Sequence, residues 1–271
     1  MVYWVIDRFV IVKSYIPSLE TLPEGYGFMN EVGSHTSRTI MRKELEALLN
    51  STPVNTTFND LKKLVIEDNI LQKETISGRK KTFGFLKQLY SLDPAVPIFR
   101  SLRWGWDQNN AEKPLICLLC ASSRDAALRV SAPYILSLPE GSSPNKIDLI
   151  NILERSFPNQ YSQKLLKSMA ENLLSSWTQS GHLNGKLKKI RVKPVAGPVS
   201  VTYSLYLGWL SGMRGRNLMS TFWIELVNLT DWEIRDNLRL ASKKSWIKYG
   251  ESGGMVDITL SRDLFPEVNT L

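Results

Sequence analysis

Residues 194–213 form a run of twenty without a single charge, bracketed by Lys193 and Arg214. A run of that length either crosses a bilayer or has to be enclosed by other protein. Gly197, Pro198, Ser200, Thr202, Ser204, Gly208 and Ser211 dilute it, while Val201, Leu205, Trp209 and Leu210 recur at roughly helical spacing. The pattern predicts a buried amphipathic helix beginning after Pro198, and no membrane span. Enclosing such a helix takes several others. A chain of 271 residues with 43% hydrophobic side chains can supply them without disulfide staples.

The flanking sequence supplies them in order. After an extended start, residues 37–49 place Ile40, Met41, Leu45, Leu48 and Leu49 on one helical face. Thr57, with Asp60 three positions on, caps a second helix through Leu61, Leu64 and Val65, and residues 79–92 fit a third with Phe83, Leu86, Leu89 and Tyr90 inward. Three short helices joined by turns are the layout of a helix-turn-helix unit. Residues 95–138 are apolar and read as core helices. A helix through Ile147, Leu149, Ile150 and Leu153 and a longer one over 161–177 then lead through a turn at 180–185 into a basic strand at 186–193, where Leu187, Ile190 and Val192 alternate with basic residues. The last segment repeats this order: Thr230 and Glu233 make a capping box for a helix over 231–245, and residues 246–260 hold two alternating runs around Gly250 to Gly254, a hairpin signal.

The expected fold is therefore mainly α, with tandem helix-turn-helix and winged-helix domains carrying small β-hairpin wings. Residues 1–25 read as an N-terminal extension, 26–93 as a helix-turn-helix domain, 94–195 as a central helical domain ending in a winged-helix-like basic hairpin, and 196–271 as a C-terminal winged helix.

Several chemistries find no support. The only cysteines, Cys117 and Cys120, spell C-x-x-C but sit in an apolar helical stretch, where a thiol packs as a small hydrophobe. His35 and His182 stand apart from any Cys/His cluster, so neither a metal nor a cofactor is expected. There is no phosphate loop, no G-x-S-x-G elbow and no H-E-x-x-H, and the chain reads as non-enzymatic. The first thirteen residues are apolar but broken by Asp7, Arg8 and Lys13, unlike a signal peptide, and a reducing cytoplasmic setting is expected.

Charge carries the functional reading. The formal net charge is +8. Residues 186–248 hold twelve basic residues against Glu225, Asp231, Glu233 and Asp236, so this span accounts for the whole excess. Lys186, Lys188, Lys189, Arg191 and Lys193 line the basic strand. Arg235, Arg239 and Lys243, with Lys244, form a stripe displaced from the apolar face of Ile234, Leu238 and Ala241. A second cluster lies at Arg79, Lys80 and Lys81, with Lys87 two turns on and Lys62 and Lys63 on the preceding helix. DNA readers present the last helix of a helix-turn-helix to the major groove and set flanking basic groups against phosphates, so these fifteen residues are the candidate DNA contacts.

The segments at 26–29, 57–61, 76–86 (Ile-Ser-Gly-Arg-Lys-Lys-Thr-Phe-Gly-Phe-Leu), 163–174 and 181–194 (Gly-His-Leu-Asn-Gly-Lys-Leu-Lys-Lys-Ile-Arg-Val-Lys-Pro) resemble, in pattern and order, the BrxA family of bacterial BREX phage-defence systems. The similarity covers residues 26–225, with the first 25 as an extension. The resemblance implies a non-enzymatic component that binds double-stranded DNA beside an ATPase, a DNA methyltransferase and a phosphatase-like protein. It matches Arg79, Lys80 and Lys81 to the basic start of the family's third helix, and residues 186–193 to its basic strand. The alternative is a winged-helix adaptor that binds proteins without touching DNA, with Trp104 to Trp106 or residues 203–209 as interface.

Overall fold

The computed structural model describes residues 22–253 and 255–266, so most of the expected extension, 1–21, lies outside the described residues. The described residues are mainly helical, with two small antiparallel hairpins among them.

A short 3-10 turn at Ser34–Thr36 precedes α1 (Arg42–Asn50), α2 (Phe58–Ile66) and α3 (Ile76–Tyr90). Thr57 Oγ1 accepts from the Asp60 N–H at the start of α2, and Thr75 Oγ1 from the Gly78 N–H at the start of α3. Each satisfies a donor that the first helical turn leaves open. Capping at Thr75 starts α3 ahead of the position that apolar periodicity suggests, so Arg79 to Lys81 lie one turn inside it.

Next come α4 (Pro97–Trp106), α5 (Lys113–Ser122), α6 (Ala126–Ser137), α7 (Lys146–Ser156) and α8 (Gln163–Gln179). Cys117 and Cys120 are fully buried in α5, and burial pushes both thiols up, Cys120 to about 12, so they pack as hydrophobes. After α8 the hairpin pairs β1 (Leu183–Asn184) with β2 (Ile190–Arg191), Leu183 opposite Arg191 and Asn184 opposite Ile190. This corrects the expected basic strand over 186–193. The turn falls at 185–189, because Gly185 sits at φ +106° and the chain folds back there until the Lys188 carbonyl stands where a Cβ would be. Lys186, Leu187 and Lys188 therefore occupy the tip.

The last segment holds α9 (Pro198–Leu210), a 3-10 stretch at Gly215–Ser220, α10 (Phe222–Val227), α11 (Asp231–Lys243), and the paired strands β3 (Ile247–Ser252) and β4 (Met255–Leu260). The uncharged run is a helix, but not an amphipathic one: every residue from Val199 to Leu210 is buried. Two of its serine hydroxyls tolerate enclosure because they are bonded, Ser204 Oγ to the Val201 carbonyl at 2.8 Å and Ser200 Oγ to Glu112 at 2.7 Å, while the buried Thr202 Oγ1 has no partner among the described residues. The buried Glu112 carboxylate also accepts from the Ser200 N–H at 2.7 Å, placing negative charge at the positive end of α9. Gly197 leaves the room, since a Cβ there would meet Glu112 Oε1 at 2.6 Å.

One continuous apolar core runs from Ile40 to Phe265. The boundaries expected at 93/94 and 195/196 thus separate stretches of chain that share a core. Trp106 and residues 203–209 are buried in it, which removes them as interface; Trp104 packs edge-on against Trp246 and Phe265. Among the described residues no helix is long and apolar enough to cross a membrane.

Candidate nucleic-acid interface

Among the described residues Arg103, Arg124, Arg129 and Arg191 are buried. Arg191 is 2% exposed, and its guanidinium donates to the carbonyls of Ile135, His182 and Val192. It fastens the hairpin to the end of α6, so it is removed from the candidate DNA contacts. Arg79 is half-buried and donates to the carbonyls of Ile66, Glu67 and Lys73, closing the C-terminal end of α2. Arg103 binds the carbonyls of Leu49 and Thr52 at the end of α1, Arg124 those of Lys87 and Gln88 at the end of α3, and Arg129 that of Ser122 at the end of α5. Burial lowers the pKa of Arg103, Arg124, Arg129 and Arg191, Arg129 to about 10. Helix ends carry unpaired carbonyls and partial negative charge, and a planar five-donor guanidinium answers both.

Two more candidates are spent on internal ion pairs. Lys193 Nζ lies 2.6 and 2.7 Å from the two carboxylate oxygens of Glu233 in the α11 capping box. Its hydrogen bond, with those of Thr230, holds Glu233 down at about 2. Arg235 pairs with Glu251 of β3, clasping α11 to its hairpin.

The remaining candidates, Lys189 apart, face solvent. At the β1–β2 tip Lys186 and Lys188 are exposed, with no partner among the described residues. Lys189 is half-buried at the root, its Nζ 3.1 Å from Thr178 Oγ1, and desolvation lowers its pKa. Thr178 lies on the helical line of Lys164, Lys167, Glu171 and Ser175, so the hairpin root meets the solvent-facing side of α8. Lys164 and Lys167 are exposed there and were missed in the sequence reading. The available signal was their i, i+3 spacing opposite Leu166, Met169 and Leu173. On α3 the exposed positions Ser77, Lys80, Lys81, Gly84 and Lys87 form one stripe. Lys87 lies over the Phe58 ring at the start of α2, where Lys62 and Lys63 are also exposed. On α11, Arg239, Lys243 and Lys244 are exposed, Lys244 over the Trp246 ring, but Asp231 and Asp236 share the helix and dilute its charge.

Both histidines are buried and bonded. The His182 Nε2–H donates to the Leu226 carbonyl and Nδ1 meets Ser180 Oγ, at 2.9 Å each, and burial lowers its pKa to about 3. His35 joins Asp125 Oδ2 and Ser176 Oγ, at 2.8 Å each, which is the connectivity of a hydrolase triad. All three residues have no exposed surface, and Ser176 Oγ is also engaged by the Ile40 N–H and the Asn172 carbonyl. An acyl substrate has no access to that oxygen, and the group ties the N-terminal segment to α6 and α8. Among the described residues no group of three or more His, Cys, Asp or Glu is placed to hold a metal ion.

The arrangement is thus a set of helical units, two of them running helix, helix, helix, hairpin, with lysines on the outward helix faces and on one hairpin tip. No family model and no curated protein matches the chain. Two solved structures of SspB are similar in fold. The magnesium ion-bound SspB crystal structure has a TM-score of 0.52 and 9% identity, with 89% of each chain covered. Another SspB crystal structure has a TM-score of 0.53 and 10% identity, with 91% of each covered.

Proposed function

We propose that this protein is a non-enzymatic, DNA-binding component of a bacterial anti-phage system of the BREX type, related to BrxA and working in the cytoplasm. It grips duplex DNA by phosphate contacts from the α8 face and the β1–β2 tip, with the α3 stripe as a second contact. Read this way, α6, α7, α8 and the first hairpin are one winged helix, and α9, α10, α11 and the second hairpin another. The observation that carries the reading is that Lys186 and Lys188 at the hairpin tip are exposed with no partner among the described residues, when Arg191 at the hairpin root is spent internally; Lys164 and Lys167 are exposed about three to four turns along the α8 line that reaches Thr178. Cations kept free of internal partners, on a helix and its hairpin, suit a polyanion tracked along its backbone.

Duplex affinity should fall steeply with salt. The double charge reversal Lys186→Glu with Lys188→Glu should weaken binding more than tenfold for unrelated sequences alike. Removing both lysines by alanine should lower the slope of log K against log salt by about 2. Mobility shifts at several salt concentrations measure all three, and unchanged affinity in the reversal removes the hairpin from the interface.

A second reading, a protein adaptor for the ATPase, methyltransferase or phosphatase-like components, is favoured by Trp232 on α11, which is 70% exposed. Trp232→Ala should then abolish co-purification with such a partner and leave duplex affinity unchanged.

A further inference from the structure

Leu187 is 97% exposed, ahead of Met255 at 77% and Trp232 at 70%. It stands at the β1–β2 tip between two exposed lysines, Lys186 and Lys188. The tip is held in shape from below. Arg191 N–H donates to the Ser142 carbonyl at 2.8 Å, the Gly141 N–H to the Arg191 carbonyl at 2.9 Å, and the Val192 N–H to the His182 carbonyl at 3.0 Å. The Arg191 guanidinium adds its three carbonyls, and Gly185, whose N–H meets Asn184 Oδ1 at 2.8 Å, closes the turn against Lys188. A large apolar side chain on a rooted, cationic projection finds nothing apolar in its own molecule.

We propose that this tip enters the minor groove of duplex DNA, with Leu187 wedged against a base step and the ammonium groups of Lys186 and Lys188 on the phosphates to either side. The proposal rests on the duplex-binding reading above and names the groove and the mode of contact. Residues two apart span at most about 7 Å of chain, comparable with the roughly 6 Å width of the minor groove, so the two lysines suit its opposite walls while the leucine between them faces the bases. Proteins that bind this groove use such apolar wedges to unstack a step and kink the duplex. The Lys189 contact with Thr178 sets the hairpin beside the outward face of α8, as a helix in the major groove would have its flanking element in the adjacent minor groove.

The experiment uses the full chain and a duplex with fluorophores at its ends and 2-aminopurine at the centre, at a concentration that saturates binding. Wild type should shorten the end-to-end distance and raise the 2-aminopurine signal. Leu187→Ser should lose both changes and about tenfold in affinity, equivalent to about 1.4 kcal/mol, with the salt slope unchanged. Lys188→Ala should do the opposite, reducing the slope while keeping the bend. Because Leu187 touches nothing, the melting temperature of Leu187→Ser should match wild type, which excludes misfolding. Bending that survives in Leu187→Ser overturns the wedge while duplex binding stands, and no binding by wild type overturns both. A third arm uses vesicles of phosphatidylglycerol and phosphatidylcholine. Leucine-dependent sedimentation with them, alongside leucine-independent bending, overturns the proposal in favour of a membrane surface.

Discussion

A guanidinium buried at the end of a helix meets carbonyls that the helix cannot bond itself. Among the described residues Arg103, Arg124, Arg129 and Arg191 do so at the ends of α1, α3, α5 and α6, and the half-buried Arg79 does the same at the end of α2. Nothing in the sequence separates them from the outward-facing basic residues, because charge and spacing are the same for a cation that faces a phosphate and one that faces a carbonyl. Arg191 shows the difficulty. It alternates with Ile190 and Val192, which assigns it to the outer face of a long strand, but the turn at Gly185 shortens that strand and turns Arg191 inward. Its neighbour His182 gives a pH test. In the unfolded chain an imidazole takes a proton below about 6.5, whereas in the fold it stays neutral down to about 3, held there by burial and by the nearby Arg191. The unfolded state then binds more protons, so this group makes stability decrease as the pH is lowered across that window, by up to about 1.4 kcal/mol per unit. Denaturant titrations should show the advantage of wild type over His182→Asn shrinking between pH 7 and pH 4.

Helices were the legible part of the chain, because their signals are local. Thr57 and Thr230 cap α2 and α11 as their sequences indicate. The long uncharged run was recognised as a helix, but its spacing suggested one apolar face when all faces are covered. Serine reads as polar in a sequence, and the bonds of Ser204 to a carbonyl one turn back and of Ser200 to Glu112 become visible only in three dimensions. The α11 capping box carries a further load that the sequence does not reveal: Glu233 also receives Lys193 from the irregular segment after the first hairpin, so one carboxylate starts a helix and joins two units. Glu233→Gln should lower the melting temperature at neutral pH. Because this carboxylate is held at about 2, the difference from wild type should persist above about pH 4.5 and shrink as the pH falls towards about 2.

At the scale of the whole molecule, the core passes without a break from α1 to the residues after β4. Unfolding should accordingly be one transition. Far-UV and near-UV signals should coincide in wild type and in Ile116→Ala, a deletion in fully buried α5 expected to cost about 2–5 kcal/mol. Two resolved transitions would show that the segments fold separately. The shared core has a consequence for the charge as well. Among the described residues five buried cations, Arg103, Lys113, Arg124, Arg129 and Arg191, stand against two buried carboxylates, Glu112 and Asp125. Part of the high isoelectric point is thus internal carpentry and exerts little pull on a ligand. The outward field at the hairpin tip and along α8 and α3 is carried by lysine. A reagent or enzyme that acetylates amines would silence those lysine surfaces one by one and leave every guanidinium joint in place.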